Sequence, residues 1–255
     1  NKSIVSKFTF GAGRVAGHLG LDNIIMFYDA NDIQLSTETS EVTTEDTAMK
    51  YRAWGWNVLE IDGNDCQQIR EALDAAKKED KRPTLIIGKC IMGKGARRAD
   101  NTSYERCCNT HGAPLGGDAY KNTIINLGGD LENPFVIFDD VKAIYTKRAE
   151  ELKEIVAARK AEEAAWAEAN AEKAAQLEDW FNGVVPAIDW DSIQQKANDP
   201  TRNASATVLS VLAEKVPNMI VSSADLSNSD KTDGFLKKTK NIVPGDFSGA
   251  FFQAG

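Results

Sequence analysis

The stretch "IIMFYDANDIQL", residues 24–35, passes from five apolar or aromatic side chains into a cluster of oxygen-bearing ones. A short continuous apolar run marks a parallel strand covered on both faces. Its end offers Asp29, Asn31 and Asp32 within four residues. In open parallel sheets, ligands bind beyond the carboxyl ends of strands. Two readings fit this lip. Asp-Xaa-Asn-Asp is ordinary turn composition. Alternatively, the Asn31 side-chain oxygen and the Ile33 carbonyl are hard ligands on one side of Mg²⁺ or Ca²⁺, with diphosphate oxygens filling the rest of the shell. The residues alone leave both open.

The surrounding sequence alternates in the same style. "GAGRVAGHLGLDN" (11–23) reads as the end of a helix with small residues for close packing. "TTEDTAMKYRAWG" (43–55) has acidic residues ahead of apolar ones at helical spacing and stops at Gly55, the pattern of a capped helix. "WNVLEID" (56–62) is a second strand, "NDCQQIREALDAAKKED" (64–80) an amphipathic helix, and "PTLIIGKCIMGKG" (83–95) a third strand entering a glycine turn. This alternation predicts an α/β fold with right-handed crossovers and a parallel sheet. From Thr146 to Asn182 the composition turns to Ala, Glu and Lys with sparse apolar anchors, which predicts an exposed helix or helical pair linking two domains. A helix at 201–214 and a strand at 218–226 begin a second α/β domain, and the tail 227–255 reads as loop. The expected division is 1–116, 117–198 (helical connector) and 199–255.

Bulk properties exclude several function classes. Thirty basic against 38 acidic residues give a net charge of −8, which argues against a general nucleic-acid binder. No apolar run approaches the ~18 residues of a membrane span, and "NKSIVSKFTF" has no signal-peptide core. Cys66, Cys90, Cys107 and Cys108 lack metal-ligand spacing and read as reduced thiols of a cytoplasmic protein. The absent initiator Met and the stop at "GAFFQAG" suggest a piece of a longer protein.

Two further places could carry chemistry. "KCIMGKG" is followed by "THGAPLG" (110–116), whose His111 sits on a loop where a histidine serves as general acid/base or anion ligand, or simply as a turn residue. His18 reads as structural. "TRNASATVL" and "SSADLSNSD" put Arg202 near a helix start and Ser229 beyond a strand, a pair able to hold a phosphate or to remain a surface Arg and a loop Ser.

Taken together and in this order, "AGHLGLDNIIMFYDANDIQL", "DTAMKYRAWGWNVLEIDGND", "THGAPLG", "TRNASATVL" and "SSADLSNSD" resemble the transketolase family of thiamine diphosphate enzymes. The resemblance spans about residues 11–255. It implies a partial thiamine diphosphate-binding fold, with residues 1–116 from the diphosphate-binding domain and 199–255 from the start of the pyrimidine-binding domain. Asn31 and Ile33 match the metal ligands, Asn31 also contacting the diphosphate. Leu35 and Met92 match apolar positions at the thiazolium ring. His111 matches the histidine that contacts cofactor and bound sugar and carries the catalytic proton transfer. Arg202 and Ser229 match the pair that holds the sugar phosphate, and Asp225 matches an acidic residue near the cofactor. The implied reaction moves a two-carbon ketol unit from a ketose phosphate to an aldose phosphate in the pentose phosphate pathway, with thiamine diphosphate and Mg²⁺, in a homodimer.

The sequence also departs from the family pattern. Its Gly-Asp-Gly motif, which supplies the remaining metal ligand, lies upstream of where this chain starts. "NKSIVSKFTF" does not resemble the family's preceding helix. The glutamate that activates the aminopyrimidine is expected beyond Gly255. The isolated chain is therefore expected to be inactive. A deoxyxylulose phosphate synthase shares the asparagine motif, and a non-catalytic scaffold docking through 146–182 is a third reading. "THGAPLG" and the helical connector favour transketolase.

Overall fold

A computed structural model describes residues 7–254. The chain divides into two compact units: one extends to Pro134 and takes in Val243–Phe247, and the other holds Phe135–Ile242 and Ser248–Gln253.

The first unit alternates helix and strand: α1 (Lys7–Leu19), β1 (Ile25–Ala30), α2 (Thr47–Ala53), β2 (Asn57–Asp62), α3 (Cys66–Ala76), β3 (Thr84–Lys89) and α4 (Gly117–Asn126). The strands form one parallel sheet in the order β1-β3-β2. The last strand in sequence is thus the middle one in space. Its register aligns Lys89 with both Ala30 and Asp62, so all three strands end along one edge. That edge is where the parallel-sheet rule places a ligand.

Leu85 and Ile86 of β3 are fully buried on opposite faces, as strand alternation requires. Leu85 packs with Ala16, Tyr51 and Trp56, and Ile86 packs with Ala72 and Ala76 of α3. The small residues of α1 allow the approach on the first face. A Cβ on Gly17 would fall 1.8 Å from the Trp54 carbonyl oxygen. The Trp56 indole Nε1–H donates to the Gly13 carbonyl at 2.8 Å. Both predicted helix starts are capped by an aspartate. Asp46 accepts from the Met49 N–H, and Asp65 accepts from the Gln67 and Gln68 N–H groups.

Two expectations need correction, on β1 and on the tail. β1 is not covered on both faces: it is a sheet edge here, and its residues alternate between exposed and half-buried. α3 covers the second face over β2 and β3 but leaves Ile25 and Phe27 exposed. α1 starts at Lys7, so the end of "NKSIVSKFTF" is helical; residues 1–6 lie outside the described residues. The tail after 227 is not plain loop. It forms α8 (Ser227–Asp230), α9 (Asp233–Leu236) and β5 (Phe251–Gln253).

The second unit also contains α5 (Asp139–Ala169), α6 (Ala171–Phe181), α7 (Thr201–Lys215) and β4 (Val221–Ser223). The predicted helical pair is α5 and α6, broken at Asn170 (φ −132°, ψ 48°), with no buried residue in either helix. Strong helix formers hold such a segment without a core of its own. β4 pairs in parallel with β5, and Val221, Phe235 and Phe251 form a small core beside α7. Burying the two phenylalanines is what orders the tail.

Candidate functional site

At the end of β1 the backbone folds into an Asx turn. The Asn31 Oδ1 accepts from the Ile33 N–H at 3.1 Å, and Asp32 takes a left-handed φ of 65°. Aspartate tolerates that region better than most side chains. Both Asn31 and Ile33 are buried. The chain then doubles back: the Gln34 N–H donates to the Thr37 carbonyl and the Thr39 N–H to the Asp32 carbonyl, both at 2.8 Å. Ile33 and Glu38 are therefore the non-hydrogen-bonded pair of this antiparallel bridge, and the bridge does not use the Ile33 carbonyl. The turn fixes the amide of Asn31 and spares the peptide oxygen two residues on.

At the end of β3 the chain makes a long excursion and returns. Arg97 bridges Ser103, the Tyr104 N–H donates to the Ala96 carbonyl, and the Arg106 N–H donates to the Met92 carbonyl at 2.9 Å. This return lays 104–111 alongside 91–94. Gly93, at φ 63°, leaves so little room that a Cβ there would sit 3.2 Å from the Thr110 Oγ1. A short 3₁₀ turn, Cys108–Thr110, presents His111. Gly112 follows at φ 80°, and a Cβ on it would lie 3.9 Å from the Leu35 Cδ1. Leu35, Met92 and His111 are thus brought to one patch beside the Asn31 turn. The His111 Nδ1 is buried without a hydrogen-bond partner among the described residues. A buried polar atom of that kind is costly unless something else satisfies it.

The edge carries charge that sequence reading did not single out. Lys89 reaches from the end of β3 to both carboxylate oxygens of Asp32 at 2.5 Å. Cys90 lies near Asp29, and its N–H donates to the Ala30 carbonyl at 3.3 Å. Burial first, then the Asp29 and Asp62 carboxylates, push its thiol up to about 11. Tyr28 is also raised, by burial and by Asp32 and Asp29. These contacts join β1 to β3 across the register Asp29–Gly88 and Ala30–Lys89. The strand-end residues are visible in the sequence, but their pairing depends on β3 lying next to β1. Among the described residues, no group of three or more His, Cys, Asp or Glu side chains could hold a metal ion. The candidate metal ligands here are an amide oxygen and a peptide oxygen.

The second unit holds the remaining candidates. Arg202 lies in the first turn of α7, and its Nη1 donates to the Ser229 carbonyl at 3.4 Å. Asp225 stands exposed at a left-handed φ of 60°, before the turn that carries Ser229. The Ser223 Oγ accepts from the Leu226 N–H and donates to Asp230, which ties this loop to β4.

Residues 5–186 match the family described as "Transketolase, thiamine diphosphate binding domain". The chain belongs to the transketolase family. It is 33% identical over 244 residues to the transketolase of Geobacillus stearothermophilus, a match that covers 93% of this chain and 35% of that protein. Its fold is similar to that of a transketolase from Leishmania mexicana, at TM-score 0.87 and 27% identity over 99% of this chain and 37% of that one. A Pichia stipitis transketolase solved in complex with sedoheptulose 7-phosphate is similar at TM-score 0.85 and 30% identity, over 99% of this chain and 38% of that one. The chain spans about a third of the length of these transketolases. Its α/β parallel-sheet architecture is that of the thiamine diphosphate-binding fold. No helix among the described residues is long and apolar enough to cross a membrane.

Proposed function

We propose that this chain is the part of a transketolase that spans the end of the diphosphate-binding domain (1–116), a helical connector (117–198) and the start of the pyrimidine-binding domain (199–255). The protein transfers a two-carbon ketol unit from a ketose phosphate to an aldose phosphate in the pentose phosphate pathway, as a cytoplasmic homodimer. The observation that carries this reading is the convergence at one sheet edge of the Asn31–Ile33 turn, Leu35, Met92 and the unpartnered Nδ1 of His111.

The donor set fits the group the family implies. An amide oxygen and a peptide oxygen are hard ligands suited to Mg²⁺, or to Ca²⁺, when phosphate oxygens complete the shell. Asn31 and Ile33 would hold that ion, and Leu35 and Met92 would supply the apolar wall against a thiazolium ring. Thiamine diphosphate, when bound, supplies the electron sink for breaking a carbon–carbon bond. His111 then holds or moves a proton at a substrate oxygen, and its Nδ1 gains the partner it lacks. Arg202 and Ser229 fix the phosphate of the sugar, through a guanidinium fork and a hydroxyl. Asp225 would lie near the cofactor. The sugar-phosphate complex of the Pichia stipitis enzyme supports this substrate class.

The test has two arms. The purified 255-residue chain, supplied with Mg²⁺ and thiamine diphosphate, is expected to show no ketol transfer and little rise in Tm. In the complete open reading frame, His111→Ala is expected to lower kcat roughly 100-fold. Ketol transfer by the isolated chain would refute the first expectation, and an unchanged kcat in the variant would remove His111 from the reaction.

A further inference from the structure

A cavity of about 540 Å³ opens beyond the carboxyl ends of β2 and β3, in the first unit. Its neutral and acidic lining is largely satisfied. Asp62 accepts from the Asn64 N–H at 2.9 Å, and Gln68 accepts from the Asp62 N–H at 2.9 Å. Asn64 accepts from the Ile91 N–H at 3.0 Å. Glu60 is held by Arg52 at 2.7 Å, and Lys89 is held by Asp32. Two cations stand apart. Among the described residues, neither the Lys94 ammonium nor the Arg106 guanidinium has a hydrogen-bond or ion-pair partner. With the two ion pairs neutral, Lys94 and Arg106 outweigh Asp62, so the cavity is locally cationic in a chain of net charge −8.

The backbone sharpens the point. Arg106 sits at a left-handed φ of 52°, a region where a non-glycine side chain is strained. It is kept there by the bond from its N–H to the Met92 carbonyl. A glycine would serve that turn without strain, yet an arginine occupies it and lines the cavity. Such strain concentrates at ligand clamps. The location is also the one that parallel sheets reserve for ligands. Arg forks a phosphate in two places and Lys adds a mobile charge. The volume exceeds that of a bare phosphate ion and lies in the range of small-metabolite sites.

We propose that this cavity binds a small phosphorylated metabolite, gripped by Arg106 and Lys94, with Lys89 released from Asp32 to join them. The site does not depend on the metal reading of Asn31. It does communicate with it, because Asp32 lies between Asn31 and Ile33 in the Asx turn. An anion that takes Lys89 from Asp32 frees the residue on which that turn pivots.

Calorimetric titration of the 255-residue chain with inorganic pyrophosphate, at low salt and without Mg²⁺, tests this. Saturable binding is expected, weakened ~3- to 10-fold by Lys94→Gln or Arg106→Gln and by added salt. Arg106→Gly is the decisive variant, since glycine relieves the backbone while removing the guanidinium. It is expected to keep or raise Tm and still to lose affinity. No saturable binding by the parent chain, or parental affinity in Arg106→Gly, would overturn the proposal. Asn31→Ala separates the two sites. If it weakens pyrophosphate binding as much as Arg106→Gln does, the anion belongs to the Asn31 turn and the cavity proposal fails. A parallel titration with thiamine diphosphate and Mg²⁺ reads the Asn31 turn on its own.

Discussion

β1 and β3 pair residue for residue, and both are rich in apolar side chains, yet their environments differ sharply. Leu85 and Ile86 are fully buried, whereas Ile25 is 38% exposed and Phe27 is 42% exposed. The difference comes from coverage. β3 has a strand on each side, α1 and α2 above, and α3 below. Among the described residues, β1 has one strand neighbour and an uncovered second face. Apolar content therefore reports what a strand is built to meet, and position reports what this chain supplies. Leu85→Ala tests the covered side. It removes packing from a site with no room to relax and is expected to cost about 3 kcal/mol. Phe27→Ala, on the bare face, is expected to cost about 1 kcal/mol or less, because much of the ring already meets water. Urea unfolding followed by hydrogen exchange of the β3 amides would measure both. Equal costs would mean that another chain or copy covers β1 in solution.

The contrast extends past the strand ends. Cys90 follows β3 directly and is tied to the end of β1 by its N–H, which donates to the Ala30 carbonyl, with its thiol raised to about 11. At pH 8 a thiol with that pKa is ~0.1% thiolate, against roughly a quarter for an ordinary cysteine. Alkylation of Cys90 by iodoacetamide is therefore expected to be on the order of 100-fold slower than that of exposed Cys66, as read by peptide mass spectrometry. The sign is fixed by the direction of the shift. Raising the pKa keeps the proton on, so the gap narrows as the pH climbs toward 11. Comparable rates at pH 8 would show that the join between β1 and β3 opens readily.

Much of this arrangement is legible in the residues, and what is not has a physical cause. The apolar run before Asp29, the aspartate caps at 46 and 65 and the alternation of elements are local signals, and each predicts its element. The turn that links Asn31 to Ile33 is local too. Strand order is not, because β1-β3-β2 is decided by helices that must cross over the sheet. The Lys89–Asp32 pair and the placing of Cys90 near Asp29 depend on that order and so leave no local signal. β1 has the composition of a doubly covered strand, so its residues alone do not reveal the edge position. The tail after 227 reads as loop because its ordering depends on Phe235 and Phe251, two aromatics amid polar sequence, meeting Val221 from another segment. Arg106 gave no local sign, since nothing in "SYERCCN" announces a left-handed backbone.

The finest way to probe the comparison is through α3, the helix that covers β3 and leaves β1 bare. Its start depends on one carboxylate. Asp65 accepts from the Gln67 N–H at 2.8 Å and from the Gln68 N–H at 3.1 Å, and these backbone bonds, chiefly that from Gln68, hold its pKa below the usual carboxylate range. Asp65→Ala leaves those two donors to water and is expected to destabilise the first unit. Asp46→Ala makes the same change on α2, which covers the opposite face and donates only the Met49 N–H to its cap. If α3 is what separates β3 from β1, hydrogen exchange at Ile86 and its neighbours should quicken more in Asp65→Ala than in Asp46→Ala. Because the folded pKa of Asp65 is depressed, its contribution is present above the unfolded carboxylate pKa and fades as the pH falls through the folded one. The two Asp65 proteins should therefore converge in stability under acid. A stability gap that persists at low pH would mean the side chain acts by packing rather than as a charged cap.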